Sequence, residues 1–486
     1  MSDDVRFWDI KKRPDRKTRP YRVRWAVAGR EWENYFATKA LGENFRGQLM
    51  KAAKRGESFS ETTGLPVSME RERTAPTWYQ VAREYARAKW PTAAAKSRRA
   101  TADALATVTM ALVSDGRGQP DLRLIRRALY SWAFNFGPLA VSPPDDVVAA
   151  LAWMEERSFR ITALAETQIV RVALDACAKT LTGTPAAAST VRRKRAVFHH
   201  ALGYAVERRW LDANPVDRVQ RRAPEVAKTV DRRVVANPAQ VRDLLAAVAG
   251  QGTTGRHLVA FYGCLYFAGT RPSEGLALRE SDCFLPDDGW GRLDLVANEP
   301  RAGHGWTDGT APRERRGLKR RGENEIRPVP IPPEYVRMLR EHIDTFGVGV
   351  DGRLFRTATG GAPQESTYSR TWRKAREKAF TPEQVASPLA RRPYDLRHAA
   401  VSLWLNAGVP STEVARRAGH SVDVLLRVYA NCVDGQDLAI NDRIAEALGP
   451  PDPSGDQEVV ENEAEPDCDR EHRKNRPANT TGLDPY

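Results

Sequence analysis

Residues 211–237 break any regular element that enters them. Pro215 and Pro224 lie inside the stretch and Pro238 follows it. Each proline ring fixes φ near −65° and removes a backbone donor. Six Lys/Arg between 216 and 236 add charge that resists burial. The stretch reads as a basic interdomain linker over 216–236, long enough to wrap around a partner. It splits the 486 residues into two parts that must each bury a core. With 41% hydrophobic residues, both can.

On the N-terminal side, residues 77–215 carry a helical pattern throughout. Trp78, Val81, Ala82, Tyr85 and Ala86 share one face, and Leu122, Ile125, Leu129, Trp132 and Ala133 share another. The last helix, about 189–210, should be capped by Ser189 or Thr190 and bury Val197, Leu202, Ala205 and Val206. Arg192, Arg193, Lys194 and Arg195 crowd its first turns. Such a run is either a solvated face or a contact for a polyanion.

Residues 5–37 alternate as strands do around an Ala28-Gly29-Arg30 turn, and a helix should follow over Lys39–Lys54. Arg22, Arg24 and Arg30 stand beside Tyr21, Trp25 and Trp32, so 1–55 is either a plain β-rich module or a basic sheet fit for a DNA groove. Polar, Gly- and Pro-bearing residues 56–76 read as a linker.

Net charge is +14, and the tail 450–486 holds ten Asp/Glu against four Lys/Arg. Without that acidic, disorder-prone tail the remainder carries +20. Such a balance points to a polyanionic partner, with nucleic acid first and an anionic membrane surface second. Five scattered cysteines lack disulfide or zinc spacing. The N-terminus has no apolar leader, and the longest apolar stretch, 258–268, is too short to span a bilayer. A cytoplasmic, nucleoid-associated protein that needs no membrane is expected.

The C-terminal half opens with Asn237 as cap and Pro238 at the first helical position. Strands are expected near 292–296 and 326–331. Helices are expected near 333–346, 367–380, 395–407, 411–418 and 436–448. Three motifs stand among them. In Phe267-Ala-Gly-Thr-Arg271-Pro-Ser-Glu274, an arginine follows a buried helix and a carboxylate at i+3 can orient it. In Arg392-Pro-Tyr394-Asp395-Leu396-Arg397-His398, Asp395 can cap a helix, leaving Arg397 where anions bind. In Ala418-Gly419-His420-Ser421, Tyr429 follows His420 by nine residues, across one short helix. A fourth, Gly317-Leu-Lys319-Arg-Arg before Arg327-Pro-Val-Pro-Ile331, reads as a turn-rich hairpin; Lys319 is the only lysine between Lys228 and Lys374.

Together these motifs resemble the tyrosine recombinase/phage integrase family over 236–448, in that family's order. "LKRRGENEIRPVPIPP" and "RPYDLRHA" are most similar to integrases of actinobacterial phages and mobile elements. "AVERRWLDANPV" (205–216) resembles the end of the family's core-binding domain. The resemblance implies a multidomain, mainly α chain: a small β-rich arm-type DNA-binding module (1–55), a helical core-binding domain (77–215), and a mixed α+β catalytic domain (237–449). It further implies that Tyr429 attacks a backbone phosphorus and forms a 3′-phosphotyrosyl link. Arg271 and Arg397 would clamp the non-bridging oxygens, His420 would donate a hydrogen bond, Lys319 would protonate the leaving 5′-oxygen, and Glu274 would support Arg271. The partners implied are double-stranded DNA recombination sites, three further copies in a homotetramer, and a directionality factor; the helix at 436–448, with Leu438, Ile444, Ala445 and Leu448, would dock on a neighbouring subunit.

These residue types suit the chemistry on their own terms. Phosphoryl transfer is mostly positioning and charge stabilisation, and arginines stay charged. No carboxylate cluster for Mg²⁺ and no phosphate-binding P-loop sequence is apparent, so no cofactor is expected. One departure stands out. Where the family usually has histidine three residues before the second arginine, this chain has Tyr394. A phenol can bond a phosphate or the nucleophile but is a poor general base at neutral pH. His398, one step round the helix from Arg397, is expected to point elsewhere and serve packing. Two other readings remain open: a type IB topoisomerase-like relaxing enzyme with the same pocket, and a DNA-binding regulator on a dead catalytic fold.

Overall fold

The computed structural model describes residues 1–448 except 115, 221–223, 226–228, 310, 319–324 and 433–435. Lys319, part of the expected linker and the acidic tail lie outside the described residues. The chain forms two compact units, Met1–Val433 and Asp434–Tyr486. The second contributes the helix Gln436–Leu448, where Ile444 and Leu448 are exposed.

The N-terminal module is a four-stranded antiparallel sheet with Tyr21–Val27 at its centre. Arg30–Phe36 pairs along one edge, and Val5–Phe7 and Lys11–Lys12 pair along the other. The two-residue turn at Ala28 (φ 49°) and Gly29 (φ 78°) has the positive φ that matches strand twist in a tight hairpin. Helix Lys39–Lys54, capped by the Thr38 hydroxyl, closes one face by packing its Leu49 and Ala52 with Val23, Trp25 and Val27.

Much of 56–76, expected as a linker, is instead part of this module, while Ala75 packs in the helical domain's core. Phe59 is fully buried in the module's core, the Trp25 indole donates to the Gly64 carbonyl, and Val67–Thr74 is helical. The small residues there make room for aromatic rings: a Cβ on Gly64 would meet the Trp32 ring at 2.4 Å.

The helical domain packs Trp78–Lys89, Ala95–Ala111, Asp145–Arg157, Thr167–Cys177 and Ala188–Glu207 around one apolar core. A reciprocal Thr77/Gln80 capping box starts the first of these. The last begins at Ala188 with Ala187 as its cap residue, so neither Ser189 nor Thr190 caps it.

The third part packs Pro238–Ala249, Gly252–Phe267, Pro333–Phe346, Glu365–Ala379 and Asp395–Asn406 around a second core. A three-stranded antiparallel sheet of Cys283–Phe284, Gly291–Leu295 and Arg327–Ile331 lies against it. The Asn237 cap and Pro238 start are present, with Gln240 completing a capping box. The hairpin joining Gly291–Leu295 to Arg327–Ile331 is longer than a turn. Its excursion inserts Trp306 into the helical domain's core, with ring centroids 5.0 Å from Tyr130 and 6.1 Å from Trp90. Arg98 of that domain holds Asp308 by two bonds of 2.7 and 3.1 Å and donates to the Trp306 carbonyl.

Candidate active site

The site is built around one buried carboxylate. Gly252–Phe267 ends in Gly269 at φ +56°, with no room for a Cβ against Trp404. The chain then turns into the short helix Pro272–Gly275, with Arg271 at its cap position. Glu274 Oε2 accepts the Arg271 backbone N–H at 2.9 Å and Oε1 accepts its guanidinium at 2.6 Å. Arg327, from the strand Arg327–Ile331, donates to both oxygens of the same carboxylate at 2.7 and 3.3 Å. Arg397 Nη1 lies 4.0 Å from it. Burial would push the Glu274 carboxyl up, but Arg327, Arg271 and Arg397 hold it down at about 2.

Arg397 is completely buried in the first turn of Asp395–Asn406. Its guanidinium donates to the carbonyls of Gly269 and Ala418 and, at 2.9 Å, to His420 Nε2. Asp395 does not cap this helix: it is the first helical residue and accepts the Arg392 backbone N–H at 2.8 Å, with Tyr394 at the cap position. Helix Ser411–Ala418 ends on Gly419 in the left-handed conformation (φ +64°), which turns His420 toward Arg397, and Arg271 Nη2 donates to the Gly419 carbonyl at 3.2 Å. Burial, then Arg397, Arg271 and Arg327, lower the His420 imidazole to about 3, so it is neutral. Its Nδ1 is buried without a hydrogen-bond partner.

Ser421 caps the helix Val422–Tyr429, which delivers Tyr429 at its last residue, 1% exposed. The Tyr429 ring centre lies 6.3 Å from that of His420. Its hydroxyl is 3.0 Å from Nδ1 of His398. His398 thus does not point elsewhere: the Val422–Tyr429 helix ends with the Tyr429 hydroxyl against its ring. The Tyr394 ring packs edge-on to His398 at 5.1 Å, and its phenol adds to the interactions that favour the charged form of Arg271. Burial raises the Tyr429 phenol, and Arg397 and Arg271 offset only part of that.

Arg271, Glu274, Arg397, His420, Tyr429 and Tyr394 therefore come together in one cluster within one chain. Sequence reasoning missed two members. Arg327 was visible only as part of a strand, and His398 was assigned to packing.

The expected DNA contacts are more mixed. Arg22 and Arg24 face Glu33 and Glu31 at 3.5 Å each, and Arg24 lies over the Trp8 ring. Arg30 is exposed above Trp32. Arg192 is exposed, Arg193 donates to Asp103 and the Ala100 carbonyl, Arg195 is half-buried, and Lys194 is buried at 6% exposure. Four consecutive residues step about 100° each around a helix, so they cannot share a face. A hollow of about 1120 Å³ beside them also gathers Lys96, Arg99, Arg123, Arg126 and Arg127, which the sequence reading did not single out. The paired arginines at 98–99 and 126–127 were the available signal.

In its motifs the chain resembles the tyrosine recombinases of the phage integrase class, and its sequence is similar to phage integrases. It is 25% identical over 266 residues to the integrase of Mycobacterium phage D29, covering 52% of this chain and 61% of that protein. It is 25% identical over 248 residues to the integrase of Mycobacterium phage L5, covering 50% and 59%. The chain thus spans about three-fifths of the length of these curated relatives. No protein-family model matches it. Among solved structures it is similar to the Tn1549 transposon integrase in complex with transposon right-end DNA (15% identity, TM-score 0.44, 63% of this chain and 95% of that one). It is also similar to a lambda integrase tetramer bound to a Holliday junction (12% identity, TM-score 0.42, 88% and 95%). No described helix is long and apolar enough to cross a membrane.

Proposed function

We propose that this protein is a site-specific DNA recombinase of the tyrosine type, an integrase that moves a mobile element into and out of double-stranded DNA. The observation that carries the reading is the shared cluster: Tyr429 lies beside His420, which Arg397 grips, and both arginines lean on Glu274. A phosphodiester entering that cluster meets two guanidinium groups and the unpartnered Nδ1 of His420.

Tyr429 Oη attacks the phosphorus, the P–O5′ bond breaks, and a 3′-phosphotyrosyl link keeps the bond energy for rejoining. Lys319, outside the described residues, is the proposed donor to the leaving 5′-oxygen. Tyr394 and Glu274 hold Arg271 in place. The sheet of the N-terminal module, the hollow lined by Arg99, Arg126 and Arg193, and the linker at 216–236 are proposed to grip the DNA. Four copies act together, coupled through the helix Gln436–Leu448, and a directionality factor selects insertion or excision.

The test is a nicked suicide duplex carrying the element's attachment site, incubated with the protein in EDTA. A covalent protein–DNA adduct is expected with the wild type and none with Tyr429→Phe. Adduct formation by Tyr429→Phe, or a requirement for Mg²⁺, overturns the reading.

A further inference from the structure

A phenol that attacks phosphorus must lose a proton, and this pocket makes that hard. Tyr429 is 1% exposed, and burial raises its phenol further than the arginines lower it. The residue three places before Arg397 is Tyr394, and a phenol is a poor general base at neutral pH. One ring nitrogen, however, is in contact with the reacting oxygen. His398 Nδ1 stands 3.0 Å from Tyr429 Oη, with the two rings 5.7 Å apart. The charged and titratable groups around His398 are Arg397 on its own helix, Arg392 and Tyr394 just before it, and Tyr429 on the facing helix. None of these is an acid that would pair with an imidazolium. Burial, then Arg397 and Arg392, bring the imidazole down to about 4, so it is neutral and able to accept the phenol's hydrogen bond.

We propose that His398 is the proton acceptor for Tyr429; this rests on the recombinase reading above. In cleavage the Tyr429 Oη–P bond forms, the phenol proton passes to His398 Nδ1, and the P–O5′ bond breaks. The 5′-oxygen departs with a proton from a separate acid. In rejoining, the 5′-hydroxyl attacks and gives its proton back to that acid's conjugate base, the P–Oη bond breaks, and the His398 imidazolium returns its proton to Tyr429. Arg397, the nearer of the two arginines that weaken His398 as a base, is also a group a DNA phosphate would neutralise. Bound DNA therefore raises its proton affinity, and the phenol stays protonated until a scissile phosphate is in place.

The experiment measures single-turnover adduct formation on the suicide duplex by the full-length protein, with Tyr429 as tyrosine or as a fluorinated, more acidic tyrosine. His398→Asn places an amide oxygen near the Nδ1 position. It can hold the phenol in orientation but cannot take its proton. Positioned general bases contribute roughly 10²–10⁴-fold, so His398→Asn is expected to slow cleavage about 100-fold or more. Its rate should climb with pH more steeply than the wild type's, and fluorotyrosine should restore most of the loss while changing the wild type little. The ratio of fluorotyrosine to tyrosine rates within each variant does not depend on the fraction folded. His398→Asn cleaving at the wild-type rate, or an equal fluorotyrosine ratio with and without His398, overturns the proposal. Tyr429→Phe forming an adduct instead overturns the recombinase reading beneath it.

Discussion

Replacing Glu274 by Gln tests the charge network on which the pocket depends. The side chain is 2% exposed and takes hydrogen bonds from Arg271 and Arg327 while lying 4.0 Å from Arg397. Glutamine keeps the shape but removes the charge that three guanidinium groups share. Holding the carboxyl at about 2 rather than 4.5 corresponds to about 3 kcal/mol at ~1.4 kcal/mol per tenfold. That agrees with the ~3–5 kcal/mol for leaving buried charge uncompensated. For a domain of this size, about 3 kcal/mol means a fall of roughly 6–12 °C in Tm. Calorimetry of the full chain at pH 7 reads it. The pH dependence gives a second check. A carboxyl held low stabilises the fold above about 4.5, and that contribution fades as pH falls toward 2. Glutamine has no proton to gain, so the deficit of Glu274→Gln should narrow between pH 5 and 3.5. A loss under about 1 kcal/mol, or a deficit that does not change with pH, refutes the reasoning.

Gly419→Ala should cost about 2 kcal/mol or more and slow adduct formation, because φ is +64° and the new Cβ would meet Arg327 Nη1 at 2.1 Å; an unchanged melting temperature counts against it. Trp306→Ala should destabilise the chain by about 3 kcal/mol and speed proteolysis within 296–318, since that ring fills the helical domain's core; an unaltered digestion pattern would show that the insertion is not docked there. His398 and His342 are held at about 4 and His420 at about 3, below the ordinary 6.5. The unfolded chain takes up protons first, so stability should fall as pH drops from about 6.5 to 4, by several kcal/mol in all at ~1.4 kcal/mol per tenfold for each imidazole. Urea midpoints that stay level across that window contradict the assignment.

What could be read from the sequence was local. Glu274 three residues after Arg271, and Tyr429 one short helix after His420, are near neighbours along the chain, so spacing alone places them together. Asn237-Pro238 and Ala28-Gly29 are likewise signals of a few residues. What could not be read was set by distant packing. Arg327 reaches Glu274 across 53 residues because Arg327–Ile331 lines the site. His398 was assigned to packing because it lies about 100° round the helix from Arg397, and nothing local reveals that Val422–Tyr429 ends against its ring. Residues 56–76 look like a linker by composition, yet Phe59 supplies the apolar mass that the N-terminal sheet lacks. Lys194 sits in a charged run, yet its helix turns it toward Ala95–Ala111 and Asp103.

The same burial has opposite effects on the two halves of the site. It strengthens the field of the guanidinium groups and penalises a phenolate. Three guanidinium groups and one carboxylate leave +2 around the place a phosphate would occupy. A phosphodiester carries −1, but the same group under attack by a phenolate carries −2. On the proposed reaction the pocket is therefore matched to the transition state and leaves the bound ground state underneutralised, which is the condition for acceleration rather than mere binding. That match is realised only when the phenol's proton leaves the reacting centre. A neutral imidazole at 3.0 Å can take the proton without bringing another negative charge into the field of the arginines, as a carboxylate base would. A carboxylate at that position would draw Arg397 toward itself and lower the +2 on which the phosphate depends. His398→Asp should thus impair DNA cleavage at least as much as His398→Asn despite restoring a basic group, and cleavage by His398→Asp at the wild-type rate would show that the charge balance does not govern the reaction.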